Sequence, residues 1–132
     1  MPDALYEVLH WKPSTEEEVR AGRVLRLHRD WLNGGLEQAL SNLEAIAEPT
    51  AAYIDAYRLL GLAEEADLVQ EAADGLSSGN VTEAQWDALD DRYGCLTYGA
   101  DGDQPDAVEG EVVLFAQRMA DRFKGAVDRA NG

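Results

Sequence analysis

The chain has 132 residues with 26 acidic and 11 basic side chains, a formal net charge of -15. That length suits a single domain with a buried core, and the 45% hydrophobic content argues against disorder. The charge excludes direct binding to nucleic acid or to an anionic membrane and favours a basic protein partner. An acidic surface that serves only solubility is the plain alternative.

Residues 1–11 carry Asp3 and Glu7 and no basic stretch ahead of an apolar run, so no secretory signal is expected. No run approaches the length of a membrane span. Cys95 is the single cysteine, which leaves no intramolecular disulfide and no thiol pair for a metal. A cytoplasmic location is the simplest expectation.

Helical spacing recurs throughout, and strand-like alternation is scarce. The expected fold is all-α, a compact bundle of about six to seven helices in one domain. A first helix spans about residues 3–11 and ends at Pro13. Ser14 and Glu17 match a capping box for the second, whose apolar stripe takes in Val24, Leu27, His28, Trp31 and Leu32. Asn33-Gly34-Gly35 should stop it.

A third helix carries Leu36, Ala39, Leu40 and Leu43, and a fourth carries Tyr53, Ala56, Tyr57 and Leu60. A fifth covers about residues 63–73, and Ser77-Ser78-Gly79-Asn80 reads as a turn. Thr82 and Gln85 form another capping box, opening a helix through Trp86, Leu89 and Tyr93. Residues 94–106 read as an acidic loop. The last helix, about residues 107–130, repeats apolar residues every three or four positions and is expected to be the spine of the core.

No catalytic motif is recognisable. His10 and His28 lie far apart in sequence, and His28 is expected to be a hydrogen-bonded core residue ahead of a catalytic one. Cys95 is expected to be a small buried residue ahead of a nucleophile. The run Asp101 to Asp106 superficially resembles a calcium loop, but Pro105, Asp106 and Val112 occupy positions where that loop needs a ligand, a glycine and a bidentate glutamate. No catalytic residue, metal or cofactor is assigned, and an enzyme built around His28, Gln38 and Asn42 is the least favoured reading.

Charge placement is more telling than its amount. Residues 1–58 hold ten acids and six bases, residues 59–111 hold fourteen acids and only Arg92, and residues 112–132 are net +2. Glu64, Asp67, Glu71 and Asp74 are spaced to share one helix face, and Glu83, Asp87 and Asp90 repeat the arrangement. Carboxylates in such rows stand roughly 4.5 to 6 Å apart along the axis, which approaches the sign and geometry of DNA without its charge density. Solvated helix faces are the plain explanation. A counter-row of Arg20, Arg23, Arg26 and Arg29 is expected to meet acids within the fold or across a dimer.

The segment Leu32-Asn33-Gly34-Gly35-Leu36-Glu37-Gln38-Ala39-Leu40-Ser41-Asn42 resembles the signature of a bacterial family typified by a DNA-mimic protein. Its Asn-Gly-Gly-x-x-Gln pattern is the closest point of likeness, and the similarity spans about residues 18–95. Leu36, Ala39 and Leu40 stand where that family often has aromatic residues, so an aromatic surface would not carry over. The resemblance implies an all-helical fold, dimerisation and, for the typifying member, an acidic surface that occupies the DNA site of a regulator.

Within the motif, Asn33, Gly34 and Gly35 tolerate the backbone of a tight turn, while Gln38 and Asn42 are expected to form a buried pair that fixes helix packing. The combined expectation is a non-enzymatic module whose Glu64, Asp67, Glu71, Asp74, Glu83, Asp87 and Asp90 engage a basic protein, with a DNA-binding protein as the kind of partner that the resemblance implies. The alternative is an immunity or accessory protein that neutralises a specific toxin or enzyme.

Overall fold

In a computed structural model, residues 15–118 are described. The helix expected over residues 3–11 and the last part of the helix expected over residues 107–130 lie outside them. Five helices form the described chain: α1 (Glu16–Ala45), α2 (Thr50–Leu59), α3 (Ala63–Ser78), α4 (Glu83–Tyr98) and α5 (Ala107–Arg118). No strand occurs among the described residues. The expected all-α class holds, but the helix number falls to five there because two expected helices are one.

That merged element is α1. Thr15 caps its start by accepting the Glu18 N–H at 3.2 Å, while its hydroxyl donates to Glu18 Oε2 at 3.0 Å. The cap is therefore one residue later than the Ser14 and Glu17 pattern suggests. Asn33-Gly34-Gly35 does not end the helix. Gly35 takes φ 84° and ψ 175°, a conformation open in practice only to glycine, and the helix resumes at once in a new direction.

The kink lets α1 bury two separate stripes. Ala21, Val24, Leu25, Leu27 and His28 face the core before it, and Leu36, Ala39, Leu40 and Leu43 after it. Each fully buried leucine contributes roughly 1.5 to 3 kcal/mol relative to exposure. Leu32, expected on the stripe, falls at the break and is 46% exposed. Among the described residues α1 packs against all four other helices, so it is the spine, a role the sequence pattern had suggested for the C-terminal helix. α5 packs on α1 and α4 through Val108, Val112, Phe115 and Ala116.

The turn expected at residues 77–80 begins only at Gly79, since α3 runs past its expected end at residue 73 and through Ser77 and Ser78 before Gly79 closes it in the left-handed conformation. The Thr82 and Gln85 capping box forms as read, with Gln85 N–H donating to Thr82 Oγ1 at 3.2 Å and Thr82 N–H to Gln85 Oε1 at 2.8 Å. α4 then runs past Tyr93 to Tyr98, because Thr97 is buried and Leu96 packs against the core. The connecting loop is thus residues 99–106, not 94–106.

No helix among the described residues is long and apolar enough to cross a membrane.

Candidate acidic interface

Two kinds of carboxylate emerge from this packing. One kind is used inside the fold. Asp90, on the inner edge of α4, accepts the Leu36 N–H through Oδ1 at 2.8 Å. That N–H is one of the donors left without an intrahelical partner where the kink interrupts α1, and Asp90 caps it from a neighbouring helix. The contact explains the glycine: a Cβ on Gly35 would sit 2.8 Å from Asp90 Oδ2. A Cβ on Gly34 would sit 2.9 Å from Gln38 Cγ and 3.1 Å from its Cβ, at the root of that side chain, so this position is tight as well, though without a positive φ.

Asp106 is also internal. Its Oδ1 accepts the Glu109 N–H at 3.0 Å and starts α5, while its Oδ2 lies 2.6 Å from His28 Nε2. An ionised carboxylate only accepts, so Nε2 carries the proton in this contact. His28 Nδ1 lies 2.9 Å from the Tyr93 hydroxyl, and Tyr93 in turn lies 2.7 Å from the Tyr57 hydroxyl. The chain Tyr57, Tyr93, His28 and Asp106 thus ties α2, α4, α1 and the start of α5 together.

His28, Tyr57 and Tyr93 are each fully buried, and His28 is the hydrogen-bonded core histidine that its position on the apolar stripe suggests. Burial pushes the Asp106 carboxyl up, but the hydrogen bonds from His28 and from backbone N–H groups outweigh it and hold the group below the usual carboxylate range. Burial raises both tyrosines well above theirs. Burial also raises the nearby Glu65, with Glu64 and Glu111 adding to the effect.

The second kind of carboxylate faces outward. Glu64, Asp67, Glu71 and Asp74 on α3 and Glu83 and Asp87 on α4 are all exposed. The two rows are not equivalent in setting. Glu64 and Asp67 share a cleft of about 450 Å³ with Asp91, Arg92 and Cys95 of α4, so acids from both helices meet there. Glu71 pairs with Arg92 across the same two helices at 3.1 Å, and Asp67 pairs with Arg58 at 3.1 Å. Asp74 turns toward another cleft beside Glu44 and Thr50 and accepts from Gln70 at 2.9 Å.

Asp90 belongs to the inner set by its hydrogen bond, and its sequence neighbour Asp91 takes the exposed place. Sequence reasoning did not single out Asp91. It lines both the cleft with Glu64 and a second, more open cleft of about 700 Å³ bordered by Trp31, Tyr98 and Asp101. Cys95 borders both clefts and is exposed, contrary to the buried role expected of it. Gln38 and Asn42 do hydrogen-bond, at 2.8 Å, but on the surface. The buried stripe of Leu36, Ala39, Leu40 and Leu43 leaves both of them off the core face.

The arginine row is largely consumed within the fold. Arg20 pairs with Glu16 at 2.6 Å, Arg29 with Glu109 at 3.4 Å, and Arg23 lies over the Tyr53 ring at 5.9 Å. The Arg26 charge also favours the ionised form of the same tyrosine, against the larger effect of burial. No group of three or more histidine, cysteine or carboxylate side chains among the described residues is arranged to hold a metal ion.

No curated protein and no solved structure gives a significant match to the chain. The family model for DMP19-like proteins matches residues 15–111, which takes in the kinked α1, the acidic α3 and α4, and the start of α5. The chain therefore belongs to the DMP19-like protein family.

Proposed function

We propose that this protein is a non-enzymatic binding module whose outer carboxylates on α3 and α4 engage a basic protein surface, occupying the place that DNA takes on a DNA-binding partner. The observation that carries the reading is the meeting of Glu64, Asp67 and Asp91 from two adjacent helices in one cleft, inside a segment of fourteen acids and one base. Charge of one sign on adjoining helices steers a basic partner and repels nucleic acid. Membership of a family whose typifying member is a DNA mimic points the same way.

The test is affinity capture from the source cells at low and high salt, with bound protein eluted by duplex DNA. A variant with Glu64, Asp67, Glu71, Asp74, Glu83 and Asp87 changed to Gln or Asn is run in parallel, with Asp90 kept because it caps α1. The reading expects a partner that DNA releases and that the variant fails to capture while its helix content is unchanged. A partner that ignores DNA and still binds the variant overturns it in favour of an immunity or accessory protein with a shape-specific interface.

A further inference from the structure

We infer that the open cleft between the α1 kink, α4 and the loop after it is a seat for an arginine side chain of the basic partner. The inference deepens the reading above and rests on it. The cleft, about 700 Å³, is bordered by the aromatic side chains Trp31 and Tyr98 and by three carboxylates, Asp90, Asp91 and Asp101. Trp31 is partly exposed and held in place by Tyr93 at 4.5 Å and by Tyr98 at 6.4 Å between ring centroids.

Carboxylates without a partner beside aromatic rings set this cleft apart from the one that holds Glu64 and Asp67, which no aromatic residue lines. Asp67 and Glu71 are already paired with Arg58 and Arg92, whereas Asp91 and Asp101 have no side-chain partner among the described residues. Asp90 is fixed by the Leu36 N–H through one oxygen, which leaves Oδ2 beside Gly35 at the cleft border. Gly35, Gly94, Gly99 and Gly102 also line the cleft and put no side chain into it.

Aromatic rings next to unpaired carboxylates suit a guanidinium better than an ammonium. The guanidinium is planar, weakly hydrated and able to stack on an aromatic face while its N–H fork meets a carboxylate. An ammonium is more strongly hydrated and gives up that hydration less readily against an aromatic wall. The charge of the surrounding segment excludes an anionic occupant such as a phosphate.

Cys95 is the only cysteine and borders this cleft and the neighbouring one with Glu64, so its protection counts for the seat only together with amide shifts at Trp31 and at residues 98–102. The experiment follows alkylation of Cys95 by iodoacetamide at low salt, with tetra-arginine, tetra-lysine or tetra-citrulline added. Amide chemical shifts map where each peptide sits. Tetra-arginine is expected to slow alkylation by about fivefold or more, and tetra-lysine or tetra-citrulline by less than about twofold. The double variant Asp91→Asn, Asp101→Asn should remove the protection, with an unchanged circular dichroism spectrum.

Equal protection by tetra-lysine and tetra-arginine overturns the arginine seat and leaves the basic-partner reading standing. So do shifts confined to the Glu64 to Glu71 face, whether or not Cys95 is protected. An absence of shifts anywhere at low salt overturns the seat and the reading together.

Discussion

Asp90 and Asp91 are adjacent in the sequence and belong to different parts of the molecule. Asp90 faces inward and completes the backbone of a neighbouring helix, while Asp91 faces outward between two clefts. The same division runs through the whole protein. Asp90 and Asp106 hold the kink of α1 and the start of α5, and Glu64, Asp67, Glu71, Asp74, Glu83 and Asp87 face solvent. A net charge cannot distinguish these groups, because a carboxylate that accepts backbone N–H bonds is part of the fold and one that stands free is available to a partner.

The inner region should respond most strongly to mutation. His28→Leu leaves Asp106 and Tyr93 without their partner inside the core and is expected to cost about 3 kcal/mol in urea unfolding. Gly35→Ala forces a non-glycine residue into φ 84° and drives its Cβ toward Asp90, for a loss of about 2 to 3 kcal/mol. Gly34→Ala is the comparison: it needs no positive φ but crowds Gln38 Cγ and Cβ, and should cost less than Gly35→Ala, about 1 kcal/mol. Equal losses at the two glycines would remove the kink from the explanation of the motif.

A finer contrast lies between the paired aspartates. Asp90→Ala is expected to cost about 1 kcal/mol, the usual loss for a missing cap, and Asp91→Ala less than about 0.5 kcal/mol. If the two cost the same, the inner and outer assignment fails at its closest point.

The sequence revealed the helical class, the capping box at Thr82, the outward rows of α3 and α4 and the core position of His28. Each of these depends on local spacing. It did not reveal that Asn33-Gly34-Gly35 bends a helix without ending it, because that depends on Asp90, 54 positions away, accepting the Leu36 N–H. The chain from Tyr57 to Asp106 was hidden for the same reason. Both tyrosines read as apolar-stripe residues, and Asp106 read as part of a solvated loop. One local signal was present: Asp106 followed three residues later by Glu109 is a capping pattern, and it would have placed Asp106 at a helix start.

Acidity within the fold also predicts a pH response of two opposite signs. Asp106 is held below its ordinary value of 3.8, so its contribution is complete above that pH and is lost as pH falls through the lower folded-state value. Glu65 is raised above its ordinary 4.5, so the fold favours its protonated form, and that stabilisation is lost as pH rises through the raised value. Glu65→Gln is therefore expected to stabilise the protein at pH 7, by up to about 1 kcal/mol, with the gain shrinking as pH falls toward 4.5. Unfolding midpoints across pH 3 to 8 check both signs.

The most direct test of the division between inner and outer carboxylates is to measure, in the variant neutralised at Glu64, Asp67, Glu71, Asp74, Glu83 and Asp87, both the urea midpoint and the affinity for the DNA-displaceable partner. The midpoint should equal or exceed that of the unaltered protein, since like-charge repulsion is relieved, and binding should be lost. A variant that binds with undiminished affinity, or one that unfolds at markedly lower urea, would contradict that division.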